Sequence, residues 1–169
     1  GSSTIIYHGR LDSERNVSLL VDIGDELVAR ENELKMHLIG AGNAWDSLAK
    51  SARDRDWLML SAAVSPEEIP AVLAASDVGL FPLPDSPQWR VASALKIREW
   101  AACGLPVVAS DIESHRSLGE REWLRLLPAG SPPDAWGEAV LEVLSERAEL
   151  GRKARCDAEE ELSWEMATA

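Results

Sequence analysis

Cysteine is scarce in this chain, and so is positive charge. Its 169 residues include two cysteines, Cys103 and Cys156, whose separation matches no metal-binding pattern. A chain of this length does not need a disulfide to be stable, so reduced thiols in a cytoplasmic protein are the expectation. Lysine and arginine number 17 against 29 aspartates and glutamates, a formal net charge of −12. That balance argues against nucleic-acid phosphate or an anionic bilayer as the main partner, while leaving room for one local basic pocket. No apolar run approaches the ~20 residues that cross a bilayer, and no basic-then-apolar leader opens the sequence. The three histidines, His8, His37 and His115, have no carboxylate or thiolate at ligand spacing, so no metal site is expected. There is no Gly-x-Ser-x-Gly elbow and no cysteine–histidine arrangement, hence no protein nucleophile.

What remains is the composition of a folded domain: 46% hydrophobic and 27% charged residues. A chain of this length forms one core and buries roughly 70% of the surface it exposes when unfolded. The opening Gly1-Ser2-Ser3 reads as a cloning remnant, and residues 4–169 as a single domain. Six short apolar runs are bounded by turn signals: "TIIYHG", "LKMHLIG", "DWLMLSA", "DVGLFPL", "LPVVASD" and, more weakly, "EWLRLLP". Several lack polar alternation, as strands covered on both faces do. Amphipathic segments lie between them, over Asn16–Arg30, Ala44–Arg53, Pro66–Ser76, Ser93–Cys103 and Pro133–Arg147. Ser65 reads as an N-cap with Pro66 at the first helical position; Gly104 and Pro106 stop the helix before them. The chain past Arg147 reads as a further charged helix, cut short. Alternating strands and helices specify an α/β fold, a doubly wound parallel sheet of about six strands with a Rossmann-like architecture.

In such a sheet, ligands bind beyond the carboxyl ends of the strands. The loop after the first strand, "HGRLDSERN", offers Gly9, where backbone can approach a phosphate, and Arg10 and Arg15, whose guanidinium forks match phosphate oxygens. His8 stands at the same strand end and can contact a bound group or simply pack. "PLPDSPQWRVAS" supplies Asp85, Trp89 and Arg90, then leads into a helix carrying Ser93, Lys96, Glu99 and Cys103 on one face. Lys96 and a helix N-terminus suit phosphate, and Glu99 suits the paired hydroxyls of a ribose; taken alone, the two also fit a surface ion pair.

Rival patterns fail on position. Gly40-Ala41-Gly42 begins a dinucleotide fingerprint, but Trp45 occupies its third glycine position and no acid ends the next strand. Asp54-Arg55-Asp56 matches a metal-holding triplet yet precedes a strand, on the wrong edge of the sheet, and reads as a polar turn. A phospho-receiver domain would need acids where Gly9 and Arg10 stand.

These segments, taken in order, resemble the C-terminal, nucleotide-sugar-binding half of retaining GT-B glycosyltransferases of the family-4 type. "GRLDSERNVSLLVDI" is similar to that family's Gly-Arg-Leu-x-x-x-Lys-Gly segment, with Arg15 and Asn16 at its last two positions. "HLIGAGNAWDSL", "SPEEIPAVLAASDVGLFPL" and "LKIREWAACGLPVVASD" resemble its Gly-x-Gly turn, its next helix and strand, and its glutamate-bearing motif. "LSWE", residues 162–165, resembles the start of its last helix. Many members carry a further glutamate eight positions before the one matched by Glu99; Val91 stands there.

The resemblance implies a donor site in which Arg10 and Arg15 hold a diphosphate beside Gly9, Glu99 binds the ribose, and Ala62 to Val64 meet the base through backbone groups. Lys96 would face phosphates or sugar, with Asp85 or Ser93 standing in for the glutamate missing at Val91. It implies no cofactor and no metal, an NDP-sugar as substrate, and an N-terminal acceptor-binding domain as the partner that closes the cleft. That partner half could bring the enzyme to a membrane surface. This chain alone would bind nucleotide with little or no transfer. A degenerate association module and a sugar-nucleotide epimerase of similar fold are the competing readings.

Overall fold

The computed structural model describes residues 1–90 and 94–162. Strand β1 (Ser3–Arg10) runs through a single 3-10 turn, Ser13–Arg15, into helix α1 (Val17–Arg30), and β2 (Leu34–Ala41) into α2 (Trp45–Arg53). Then follow β3 (Leu58–Ser61), α3 (Ile69–Ala74) and β4 (Val78–Phe81), the one-turn α4 (Pro87–Arg90), and α5 (Leu95–Ala102). Strand β5 (Val107–Ser110), the short α6 (Glu113–Arg116), β6 (Leu124–Leu127), α7 (Pro133–Ser145) and α8 (Arg147–Asp157) complete the order, with a wider π-type turn over Ala158–Leu162. The sheet is parallel throughout, in the order β3-β2-β1-β4-β5-β6. This is the doubly wound arrangement the sequence predicts.

Burial follows the residue patterns. Every residue of β4 and β5 is buried, as strands sandwiched between two helical layers must be. Helix α1 turns Val17, Leu20, Val21, Ile23, Gly24 and Leu27 inward, the three-and-four spacing of a one-faced helix. Two expectations need correcting. The helix read from Pro66 begins only at Ile69, with Pro70 in its first turn; residues 66–68 form a turn in which Glu68 N–H donates to the Ser65 carbonyl at 3.0 Å. The first strand, read from Thr4, begins one residue earlier at Ser3, which pairs with Leu34.

The feature that positions a site is a split in the sheet. Strands β1 and β2 stay paired through Arg10 and Ala41, whereas β1 and β4 pair only at Ile5–Val78 and Ile6–Gly79. Beyond Ile6 the two central strands diverge. The strand order reverses at that point, so their carboxyl ends open into the crevice where such sheets bind ligands.

Candidate functional site

The split leaves the inner edge of β1 without a strand partner, and α5 supplies one. Lys96 donates from Nζ to the His8 carbonyl across the gap, with its ammonium 5.6 Å from the Tyr7 ring centre and 5.7 Å from that of Phe81. This route passes over Gly9, whose φ is +137°; a Cβ there would sit 2.2 Å from Lys96 Nζ. Burial, aided by Arg15 and opposed by Glu99, pulls the Lys96 amine down to about 8. Burial and the neighbouring Lys96 charge bring His8 down to about 4, so its imidazole is neutral at neutral pH. Among the described residues its buried Nε2 has no hydrogen-bond partner, and its ring lies 5.7 Å from that of Trp100.

The opposite wall is made of loops. Arg10 pairs with Asp12 through Nε at 3.1 Å and Nη2 at 3.3 Å, and each group holds the other in its charged form. Asp12 Oδ1 also accepts from Asn43 N–H at 2.9 Å, and Asn43 Oδ1 accepts from Ser13 N–H at 2.8 Å. These reciprocal bonds lace the β1–α1 loop to the β2–α2 loop. The loops approach so closely that a Cβ at Gly40 would lie 1.8 Å from the Gly9 carbonyl oxygen, and one at Gly42 2.3 Å from the Leu11 carbonyl oxygen. The Gly-x-Gly of the second loop therefore serves loop-to-loop packing. Arg15 stacks over Trp89, 4.6 Å from the ring centre, and its charge opposes the rise that burial imposes on the Tyr7 hydroxyl.

Between these walls lies a cavity of about 780 Å³, within the range of small-molecule sites. Its lining combines His8, Gly9, Arg10, Arg15, Lys96 and Glu99 with the apolar Ile39, Val64, Pro66, Ile69, Pro70 and Leu73. Cationic groups together with apolar wall suit a ligand with an anionic and a flat part. A smaller cavity of about 270 Å³ adjoins it, sharing Arg15, Lys96 and Glu99.

Of the residues singled out in the sequence, Gly9, Arg10, Arg15, Val64, Lys96 and Glu99 all line the larger cavity. Ala62 does not; its neighbour Ala63 does. Asp85 lines neither cavity and is held by Arg90 at 2.6 Å. Val91 and Ser93, and Ser163 to Glu165 of the "LSWE" segment, lie outside the described residues. Asp54-Arg55-Asp56 is a surface turn, with Arg55 bound to Asp25 at 2.8 Å. Among the described residues no group of three or more histidines, cysteines and acids converges on a metal-sized site, and no helix is long and apolar enough to cross a membrane.

The sequence profile of "Glycosyl transferases group 1" matches residues 2–146. The chain belongs to that family. No curated protein matches it by sequence alone. Solved structures share the fold: TarM at 20% identity, TM-score 0.81, over 95% of this chain and 32% of that one; the catalytic domain of cholesterol-α-glucosyltransferase from Helicobacter pylori at 18%, TM-score 0.72, over 94% and 98%; and WaaG, a glycosyltransferase involved in lipopolysaccharide biosynthesis, at 14%, TM-score 0.77, over 95% and 43%. The chain thus spans about a third of the length of TarM. A mutant of S. aureus TarM has been crystallised with UDP.

The group 1 chain adds site features that its sequence did not announce. Asp12 and Asn43 are ordinary loop residues until the two loops are seen side by side. His8 was visible as a strand-end histidine, but its unpartnered nitrogen was not. Ile69 and Leu73 of α3 line the cavity, where the sequence showed only an amphipathic segment.

Proposed function

We propose that the chain is the donor-binding half of a retaining glycosyltransferase that moves a sugar from a nucleoside diphosphate sugar to an acceptor. The observation that carries this reading is the cavity at the sheet split, whose lining brings Arg10, Arg15 and Lys96 together with Glu99 and an apolar wall. The diphosphate would lie against Arg15 and Lys96, where Gly9 permits close backbone approach. Glu99, in the cavity lining, would accept from the ribose hydroxyls, and the base would enter beside Ala63 and Val64.

In the reaction, those cations would stabilise charge developing on the departing nucleoside diphosphate, a preorganised electrostatic role. A donor phosphate oxygen would take the acceptor's proton, so no protein nucleophile is required. The acceptor would be presented by the second domain of the GT-B pair, across the open side of the cleft.

Titration of the chain with UDP, GDP and ADP, followed by calorimetry or NMR, tests the reading. One nucleotide should bind, and Glu99→Ala should weaken it about tenfold, the loss of one charge-assisted hydrogen bond. No binding of any of the three would overturn it in favour of an association module that merely shares the fold.

A further inference from the structure

We propose that Trp89 is a positioning residue for the donor diphosphate and acts through Arg15: the indole holds the guanidinium by its flat face, leaving the N–H edge for the phosphates. This deepens the donor-site reading above and rests on it. The two arginines of the loop wall are held in different ways. Arg10 commits its donors to Asp12. Arg15, among the described residues, joins no carboxylate in an ion pair.

What fixes Arg15 is aromatic. Its guanidinium carbon lies 4.6 Å from the centre of the Trp89 ring. Burial raises the pKa of the Tyr7 hydroxyl, and the Arg15 charge and a hydrogen bond from Arg15 oppose that rise. The Tyr7 oxygen is able to accept because its own proton goes to the Arg10 carbonyl at 2.6 Å. Trp89 is fixed in turn by the chain around it. Its N–H donates to the Ser86 carbonyl at 3.0 Å, its carbonyl accepts from Ser114 Oγ of α6 at 2.7 Å, and its side chain packs against the core. The indole Nε1 is buried with no hydrogen-bond partner among the described residues, so packing, and not a bond through that nitrogen, sets the ring. Trp89 lines the smaller cavity and not the larger, whereas Arg15 lines both. A nucleotide in the larger cavity therefore meets Arg15 and not Trp89, and what Trp89 does for a diphosphate it does through the arginine.

A guanidinium carries its N–H donors around its edge and stacks through its face. Stacking thus leaves free the donor set that grips phosphate oxygens in pairs. A long side chain on a loop otherwise loses its rotamer freedom at the moment of binding, and that loss subtracts from affinity. Held beforehand by an aromatic ring, Arg15 is preorganised, and the ligand gains the difference. Lysine has no plane to stack, so the arrangement is specific to arginine at this position.

A double-mutant cycle tests the pair, read by calorimetry with whichever of UDP, GDP and ADP the parent chain binds. Trp89→Leu should weaken that nucleotide about three- to tenfold, the range of one cation–π contact. Trp89→Phe keeps an aromatic face without the indole N–H and should stay within about twofold of the parent. In an Arg15→Lys background, Trp89→Leu should change affinity by less than about twofold. Equal weakening in both backgrounds would mean that Trp89 acts without Arg15, and would overturn the proposal. A phenylalanine variant as weak as the leucine one would overturn it too, giving the role to the indole nitrogen. If Trp89→Leu unfolds, Trp89→Met, which fills more of the vacated volume, takes its place in the cycle. A parent chain that binds none of the three nucleotides would remove the donor-site reading and this proposal with it; binding without coupling removes this proposal alone.

Discussion

On the α5 side of the cleft, Lys96 and Glu99 stand on a helix whose other face is core. Ile97, Trp100 and Ala101 are fully buried behind them, and α8 packs against the same helix. On the loop side, Arg10 ends β1 with its side chain 59% exposed, and Arg15 closes a turn with no buried residues of its own. The two walls offer similar charges on different foundations. On the helix wall, ligand-facing charge and stability are coupled, because Lys96 also satisfies the His8 carbonyl. On the loop wall they are separable, because hydrogen bonds between loops hold the arginines with little buried area at stake.

The coupling is broken most severely from behind. Trp100 lies between the rings of His8 and Phe81, 5.7 Å from each, and Trp100→Ala should destabilise the fold by about 3–5 kcal/mol, as for large aromatic deletions in cores. Chemical denaturation measures this. If the loss is below about 1 kcal/mol, α5 is not anchored as described. Next comes Lys96→Met, which keeps the aliphatic stem and removes the ammonium. It leaves the His8 carbonyl unpaired at the split and should cost about 1–3 kcal/mol while weakening nucleotide binding. Glu99→Ala sharpens the contrast within one helix: about tenfold weaker binding with an unchanged denaturation midpoint, since Glu99 is exposed. A Glu99→Ala variant that also unfolds early would show that stability and binding are coupled along the entire helix wall.

How much of this is legible in the sequence depends on distance along the chain. Strand and helix alternation is local, written in runs such as "LPVVASD" and in the inward stripe of α1, so the sheet and its ligand-bearing edge follow from pattern alone. Lys96 and Glu99 can be placed on one helix face from their spacing. That Lys96 spans the split to the His8 carbonyl joins positions 88 apart, and no local rule points to it. Asp85 and Arg90 show that nearness in the chain is not sufficient either. They lie five residues apart, yet the sequence offers Asp85 as a donor-sugar contact, and their pairing at 2.6 Å is seen only in the structure. Ala62 and Ala63 are adjacent in the chain just past β3, and only Ala63 lines the cavity, a one-residue difference that no sequence pattern marks.

The pH response distinguishes the walls without mutation. With the Lys96 amine at about 8, its charge is present below that value and is lost as pH rises through it. A bound diphosphate favours the charged form, so binding above pH 8 takes up a proton and affinity falls with rising pH. Between pH 7.5 and 9, nucleotide affinity should drop by about three- to tenfold, and Lys96→Met should flatten the profile. On the loop wall, the Asp12 carboxylate holds the Arg10 guanidinium in its charged form. A slope that survives in Lys96→Met would assign it to another group.

The smallest effect expected is at Asp12, and it separates two jobs that one carboxylate performs. Its ion pair with Arg10 is solvent-exposed and screened, the kind that contributes little. Its bond from Asn43 N–H, by contrast, belongs to the lacing that keeps the β1 and β2 loops in contact. Asp12→Asn retains an oxygen for Asn43 and removes only the charge, so nucleotide affinity should stay within about twofold of the parent chain. Asp12→Ala removes both, freeing the Asn43 amide. Amide hydrogen exchange at Asn43 and Ser13 should then accelerate in the alanine variant and not in the asparagine variant, because local opening is governed by the bonds that close the seam. Equal acceleration in both variants would place the control in the Arg10 charge, and the loop wall would then be organised electrostatically, as the helix wall is around Lys96.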